Sequence, residues 1–268
     1  MAKIYIVATP IGNLNDITNR ALETLSSADV IACEDTRVTL KLLTHFNISK
    51  PLISCHEHNE FNVFGHIISL VEEGKKVAMV SDAGYPGISD PGSILIKNCI
   101  NHNIDVEVVS GPCAIINALV GSGLDTTHFY FHGFLPSKSS DRKKELMTLK
   151  DKQETMIFYE APHRINDTLT EMLAIFGDRY ACVCRELTKK HEEYMRAMLS
   201  ELAIKEYRGE CVVVVSGKEK EEVVVTSIEI IQKVNEYISQ GLSKKDAIKE
   251  TSTSLNVAKN EVYKIYHS

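Results

Sequence analysis

Lys76-Val77-Ala78-Met79-Val80-Ser81-Asp82-Ala83-Gly84-Tyr85-Pro86-Gly87-Ile88-Ser89-Asp90-Pro91-Gly92 reads as a strand, a loop and a helix start in one stretch. The apolar run to Val80 suits a buried strand, and the glycines and prolines behind it turn the chain tightly with a bare backbone. Asp90-Pro91 reads as an N-cap followed by proline at the first helical position, which predicts a helix over Gly92 to Asn101. In an open α/β sheet small ligands sit beyond the carboxyl ends of the strands. Ser81 to Gly92 is therefore the first candidate for a ligand site, with a plain connecting turn as the alternative.

Similar punctuation recurs on both sides of that stretch. Lys3 to Thr9 reads as a strand, Pro10 to Asp16 as a loop, and Ile17 to Ser26 as a helix capped by Asp16. Val30 to Cys33 is a short strand ending in Glu34-Asp35-Thr36-Arg37, before a helix through Leu40, Leu43 and Phe46. Leu52 to Cys55 is a third strand, followed by His56-Glu57-His58-Asn59-Glu60 and a helix to Gly74. His-x-His lacks a third ligand at metal spacing, so helix capping is the better reading. Val106 to Val109 leads into Ser110-Gly111-Pro112-Cys113-Ala114 and a helix from Pro112 to Val120. Close alternation of strand and helix predicts α/β with a largely parallel sheet.

Gly121-Ser122-Gly123 breaks the alternation and is read as a domain boundary. Beyond it, strands are expected at 129–134, 155–159, 180–184 and 211–216, with helices near 141–149 and 165–176. After the charged linker Lys218 to Glu222 the pattern is helical, with a turn at Gly241-Leu242-Ser243 that suits a helix-turn-helix module or a small packed cap. The expected domains are 1–120, 124–217 and a tail over 223–268.

The chain has 268 residues, 44% hydrophobic and 25% charged, which suits a soluble protein with room for two cores. No apolar run reaches membrane-spanning length and the chain enters a strand without a signal-like segment, so a cytoplasmic protein away from membranes is expected. Seven cysteines outside any C-x-x-C framework suggest reduced, packed thiols. Cys182-Val183-Cys184 puts two thiols on one strand face, without ligand partners at metal spacing, and no metal is expected. A net charge of -6 argues against nonspecific coating of nucleic acid, which needs many cations on phosphate.

Taken together, Val7-Ala-Thr-Pro-Ile-Gly12-Asn-Leu-Asn-Asp-Ile-Thr18, Ala32-Cys-Glu-Asp-Thr-Arg37, His58-Asn-Glu60, the 81–92 loop, Ser110-Gly-Pro-Cys-Ala114, Gly133-Phe-Leu-Pro-Ser-Lys138, Phe158-Tyr-Glu-Ala-Pro-His-Arg164, Arg185-Glu-Leu-Thr-Lys189 and Gly209-Glu210 resemble one family. It is the ribosomal RNA small subunit methyltransferase I family, of the tetrapyrrole-methylase-like class. The resemblance spans essentially the whole chain and keeps the order of the motifs. It implies a homodimer of two α/β domains with S-adenosylmethionine in the cleft between them. The implied reaction is methylation of a ribose 2'-hydroxyl on a decoding-centre cytidine of 16S rRNA in the small ribosomal subunit. Methylation of a tetrapyrrole or other small molecule, and a non-catalytic ribosome-binding factor, are the alternatives.

The class's G-x-G-x-G-D loop falls on Ala8-Thr9-Pro10-Ile11-Gly12-Asn13, where two glycines and the aspartate are replaced. The resemblance places cofactor contacts at Pro10, Ile11 and Gly12, at Ser81, Asp82, Gly84 and Tyr85, at Cys113 and Ala114, and at Glu160. Tyr85 stands where the family pattern has threonine and Cys113 where it has serine, so a narrower pocket and a weaker hydrogen bond are expected there.

Methyl transfer needs donor and acceptor aligned in line, and the acceptor hydroxyl needs a group to take its proton. Glu34, Asp35, Glu160, His163, Lys189 and Glu192 are the candidates for that group, each with a salt bridge as its alternative role. For RNA, Lys138, Arg142, Lys143 and Lys144 form the densest basic run, continued by Lys150 and Lys152. The interleaved Asp141, Glu145 and Asp151 also suit a solvated helix face. Lys244, Lys245, Lys249, Lys259 and Lys264 give the tail a second basic surface.

Overall fold

The computed structural model describes residues 3–56, 60–219 and 225–268. The chain divides into two compact units, Met1–Lys218 and Glu219–Ser268. In the first, strands β1 (Lys3–Val7), β2 (Val30–Cys33), β3 (Leu52–Ser54), β4 (Val77–Val80) and β5 (Asp105–Val109) alternate with helices α1 (Asn19–Ser27), α2 (Thr36–His45), α3 (Glu60–Glu72) and α4 (Ser93–Asn101). The strands form a parallel sheet in the order β3-β2-β4-β1-β5. Ile4, Ile6, Val77 and Met79 face Ile67, Val71, Leu95 and Cys99 of α3 and α4. Val7, Ile31, Ala78 and Val80 face Leu25 of α1 and Leu43 of α2. Both faces are covered, which is why β2 and β4 are apolar at every position rather than alternating.

Neighbouring β1 and β4 are followed by helices on opposite faces, so the crevice at a topological switch point opens beyond their carboxyl ends. The two loops are stitched there: Thr9 N donates to Gly84 O at 2.9 Å and Gly84 N to Thr9 O at 3.0 Å.

Three helix starts differ from expectation. Leu14–Asp16 closes into a 3-10 turn and Ile17 is extended, so Thr18 rather than Asp16 caps α1, its Oγ1 accepting from Ala21 N at 3.1 Å. The loop after β4 folds back through Gly87 N donating to Pro91 O at 3.0 Å, which moves the N-cap of α4 from Asp90 to Gly92. Gly92 has φ 126°, a conformation open to glycine, and a Cβ there would meet Met79 Cε at 2.9 Å. The next helix, α5 (Ala114–Ser122), is capped by Cys113, and Pro112 stays outside it.

The second sheet contains β6 (Phe129–Phe134), β7 (Thr155–Glu160), β8 (Tyr180–Arg185), β9 (Glu193–Met198) and β10 (Cys211–Val215), in the order β6-β7-β10-β8-β9. Only the β6–β7 pair is parallel. Helices α6 (Ser139–Leu149), α7 (Ile165–Phe176) and α8 (Leu199–Leu202) cover the face carrying Met156, Phe158, Val183 and Val213. The opposite face, with Ile157, Cys182, Cys184, Val212 and Val214, receives Ile115, Ala118 and Leu119 of α5. Thus α5 gives its buried side to the second sheet, and Gly121-Ser122-Gly123 marks a helix end, with Gly123 left-handed at φ 75°, rather than a change of core.

The unit Glu219–Ser268 packs α9 (Ser227–Ser239), α10 (Lys244–Leu255) and α11 (Lys259–His267) around Ile230, Val234, Ala247, Ile248 and Val262. Thr226 and Glu229 form a capping box at the start of α9. Of the expected features, His58 of the His-x-His pair and most of the charged linker, from Lys220 to Glu222, lie outside the described residues. No helix among the described residues is long and apolar enough to cross a membrane.

Candidate active site

The loops beyond β1 and β4 face the inner side of the second sheet across a cavity of about 360 Å³, within the range of small-molecule sites. Ile11, Gly84, Tyr85, Ile88 and Asp90 line it from the first sheet's loops, and Cys113 and Ala114 from the start of α5. Phe134, Tyr159, Glu160, Leu187, Cys211 and Val212 close the other side. Of the residues singled out from sequence, Ile11, Gly84, Tyr85, Cys113, Ala114 and Glu160 share this wall. The backbone is strained around it: Ser89, Glu186 and Thr188 are non-glycine residues at φ 61°, 49° and 64°.

Pro10, Gly12, Ser81 and Asp82 do not line the cavity but shape the loops that do. Ser81 is buried with its Oγ 3.3 Å from Ala83 O and 3.4 Å from Gly84 O, inside the turn. Asp82 Oδ1 accepts from Asp35 N at 3.1 Å, tying the end of β4 to the end of β2. Pro10 is buried in the loop between β1 and α1. Gly12 lies against the second sheet's β8–β9 loop so closely that a Cβ there would run into Leu187, Thr188 and Lys189.

Tyr85 does not plug the cavity. Its hydroxyl accepts from Gly111 N at 3.0 Å, which holds the ring against the loop after β5 as part of the wall. Tyr85→Phe leaves that N–H without its partner and is expected to lower stability by about 1 kcal/mol, read from the urea midpoint at unchanged m-value.

The proton-acceptor candidates separate by environment. The Glu160 carboxylate is buried and accepts from Ala161 N at 2.8 Å, Arg164 Nε at 2.8 Å and Thr168 Oγ1 at 2.6 Å, so it anchors the start of α7. Lys189 Nζ sits 3.1 Å from Glu186 Oε1 and 2.9 Å from Glu210 Oε2. Burial alone would lower its pKa, but the two carboxylates outweigh burial and raise it, which favours the ammonium form. His163 is exposed and off the cavity wall. Glu192 accepts from Thr188 N at 2.6 Å and holds the loop. Asp35 caps α2 and pairs with Arg37, which holds its carboxyl down to about 2.

Glu34 and Asp82 behave differently. Burial and then the charge of Asp82 push Glu34 up, and burial likewise raises Asp82. Asp90, taken from sequence as a helix cap, lies on the cavity wall, where burial, Glu34 and Asp82 push its carboxyl up to about 6. Across from it the Tyr159 hydroxyl is raised by burial, with Cys113 and Asp90 adding to the effect. Asp-Pro-Gly is as good a turn signal as a cap signal, and the turn reading would have placed Asp90 in the loop.

Of the basic run, Lys138, Lys143 and Lys144 are exposed. Arg142 is not: its guanidinium is turned inward onto Glu171, Nε to Oε2 at 2.6 Å, and only 3% of the residue is exposed. That corrects its assignment to an RNA-facing surface. In the tail Lys244, Lys245, Lys249, Lys259 and Lys264 are exposed, Lys244 over the Tyr266 ring.

The family model of the tetrapyrrole (corrin/porphyrin) methylases matches residues 3–203. The ribosomal RNA small subunit methyltransferase I of Halalkalibacterium halodurans is 46% identical over 98% of this chain and 94% of its own length. The chain belongs to that family. The Bacillus subtilis member is 45% identical, covering 100% of this chain and 94% of its own. Methyltransferases of the family use S-adenosylmethionine. Among solved structures, the fold is shared with uroporphyrin-III C-methyltransferase of Thermus thermophilus in complex with S-adenosyl homocysteine, at TM-score 0.57, 19% identity, 80% of this chain and 97% of that one. The methyltransferase CobJ gives TM-score 0.61 at 18% identity over 83% of this chain and 97% of its own.

The cavity suits that cofactor chemically. Cys113 caps α5 without a side-chain hydrogen bond, and Cys113 and Ala114 at that helix start line the cavity, where first-turn N–H groups suit a carboxylate. Ile11, Ile88, Phe134 and Leu187 offer apolar surface for a base or sugar, and Asp90 offers negative charge toward a cation.

Proposed function

We propose that this chain methylates the ribose 2'-hydroxyl of a decoding-centre cytidine in 16S rRNA of the small ribosomal subunit, acting as a cytoplasmic homodimer. The observation that carries the reading is the cavity between the two sheets, in a chain matching curated rRNA small subunit methyltransferases I along nearly its whole length. Bound S-adenosylmethionine supplies an electrophilic methyl group on a sulfonium centre. The residues proposed to hold it are Ile11, Gly84 and Tyr85 from the first sheet's loops, Cys113 and Ala114 from α5, and the loop anchored by Glu160. Desolvating walls and fixed loop geometry would align the acceptor oxygen with the methyl carbon, the main contribution such a site makes to in-line transfer. Lys138, Lys143 and Lys144 would meet phosphates beside the entering nucleotide.

Incubating the protein with labelled S-adenosylmethionine and small subunits from a strain lacking this gene should label 16S rRNA, with 2'-O-methylcytidine recovered after nuclease digestion. Labelling of a small molecule without RNA, or no transfer, overturns the reading. The double variant Lys143→Ala/Lys144→Ala is expected to weaken subunit binding and to flatten its logarithmic salt dependence by about 1 to 2. Filter binding across a salt series checks this, and an unchanged slope would remove these lysines from the interface.

A further inference from the structure

We propose that the helical unit Glu219–Ser268 carries an RNA-binding surface of its own, on α11 and the start of α10, which stacks an unpaired base on Tyr263 and holds the adjoining phosphates with lysines. The choice of RNA as the polyanion rests on the rRNA reading above. The core of the unit is complete without Tyr263: Ile230, Val234, Ala247, Ile248 and Val262 fill it, and Tyr263 is left 55% exposed. Lys259, Tyr263, Tyr266 and His267 are spaced i, i+4, i+7 and i+8, which puts them on one side of α11. The His267 ring stacks on Tyr263 with 4.2 Å between centroids and 27° between planes, and stands edge-on to Tyr266 at 5.7 Å. The rings are held in place. His267 Nδ1 lies 2.8 Å from Tyr263 O, and the Tyr266 hydroxyl donates to Asn235 Oδ1 of α9 at 2.7 Å. Lys244 Nζ, from the start of α10, lies 4.9 Å from the centre of the Tyr266 ring.

Charge separates the same way. From Ser243 to Ser268 five exposed lysines stand against three carboxylates, although the whole chain carries -6. Among the described residues the one ion pair of this unit, Lys233 with Glu236, is on α9, and none of the five lysines has a carboxylate partner. Asp246 is engaged with Ser243 at the cap of α10, Glu250 follows it on the same row, and Glu261 lies about 160° round α11 from Tyr263. Unpaired ammonium groups beside an exposed ring complement phosphate and base together, the pairing that single-stranded RNA offers. A helix-turn-helix reader of duplex DNA sets the N-terminal residues of its second helix on base edges. Here the rings gather in the C-terminal half of α11, which favours splayed bases over a groove.

The test uses the full chain in a Lys143→Ala/Lys144→Ala background, so that RNA held at α6 does not mask the tail, with a short labelled oligouridylate as probe. Tyr263→Ala is expected to weaken binding at least about fivefold with the salt dependence unchanged, and Tyr263→Phe, which keeps a ring, should bind like the parent. Lys259→Ala/Lys264→Ala should instead flatten the logarithmic salt dependence by about 1.4, two phosphate contacts on a single strand. Thermal melts of these variants should match the parent, since none of the three side chains belongs to the core. In aromatic ¹H–¹³C NMR of the unsubstituted protein, the Tyr263 and His267 ring signals should move upfield as oligouridylate is added. Parental affinity in Tyr263→Ala, or ring signals that stay in place at saturating oligouridylate, overturns this inference alone, because neither readout depends on methyl transfer. Tighter binding of a DNA oligonucleotide, single-stranded or duplex, overturns the assignment to RNA. Unsubstituted protein that labels no 16S rRNA overturns the methyltransferase reading itself.

Discussion

Arg142→Met should cost about 3 to 5 kcal/mol of stability at neutral pH, because it leaves a buried carboxylate without its counter-charge. Arg142 and Glu171 side chains are 4% and 11% exposed, and the pair is bidentate, with Nη2 to Oε1 at 3.1 Å completing it. Arg142 Nη1 also donates to Ser137 O at 3.1 Å and Ser139 Oγ to Glu171 Oε1 at 2.6 Å, so the pair joins the start of α6 to α7. Burial would raise Glu171, yet hydrogen bonds from Arg142 and Ser139 outweigh it and hold the carboxyl below its usual value. A depressed carboxylate contributes stability above its unfolded pKa and loses it as pH falls through the folded one. The deficit of the variant should therefore be largest near pH 7 and smaller at a pH below the depressed folded value of Glu171, where the carboxyl is protonated in either protein. Urea unfolding at the two pH values measures it. Arg142→Met/Glu171→Leu, which removes both charges, should regain most of the loss. A single variant as stable as wild type but defective in RNA binding would return Arg142 to the basic surface.

Arg142 shows where sequence reading reached its limit. A run of Lys138, Arg142, Lys143 and Lys144 has one linear appearance, but a helix turns residues about 100° apart, and only three-dimensional packing decides which cation meets α7. The parallel sheet was legible because burial on both faces writes itself as unbroken apolar runs such as Val77-Ala-Met-Val80. Strand β9, Glu-Tyr-Met-Arg-Ala-Met, was not: it is an edge strand with charged positions and no β-branched residue, a composition that protects an edge and hides the strand. The site followed the same division. Loops recognisable by glycine and proline placed Gly84, Tyr85 and Cys113 on the wall, whereas Tyr159, Cys211 and Val212 come from strands of the other sheet, whose facing direction depends on how the two sheets meet. Asp90 was visible as a residue and misread as a role, since a cap and a turn share the letters Asp-Pro.

Gly12→Val should weaken cofactor binding at least about tenfold, equivalent to about 1.4 kcal/mol, although position 12 does not line the cavity. A Cβ on Gly12 would stand 2.5 Å from Lys189 Cγ, 2.9 Å from Leu187 O and 2.9 Å from Thr188 Oγ1. The lysine stem can move aside, but the Leu187 carbonyl belongs to a loop fixed by Glu186 N to Glu210 O at 2.9 Å and Thr188 N to Glu192 Oε2 at 2.6 Å. Relief must therefore come from parting the β1 loop and the β8–β9 loop, which carry Ile11 and Leu187 on opposite sides of the cavity. Overpacking of this kind costs about 1 to 3 kcal/mol of stability as well. Gly65→Ala, where a Cβ meets nothing within 4 Å inside α3, is the matched control and should be neutral or stabilising by up to about 1 kcal/mol. Calorimetry with S-adenosylhomocysteine and thermal melts of both variants separate the effects. Wild-type affinity in Gly12→Val would mean that the two loops part without disturbing the cavity, and that the glycine in this loop serves neither the closeness of the sheets nor the cofactor.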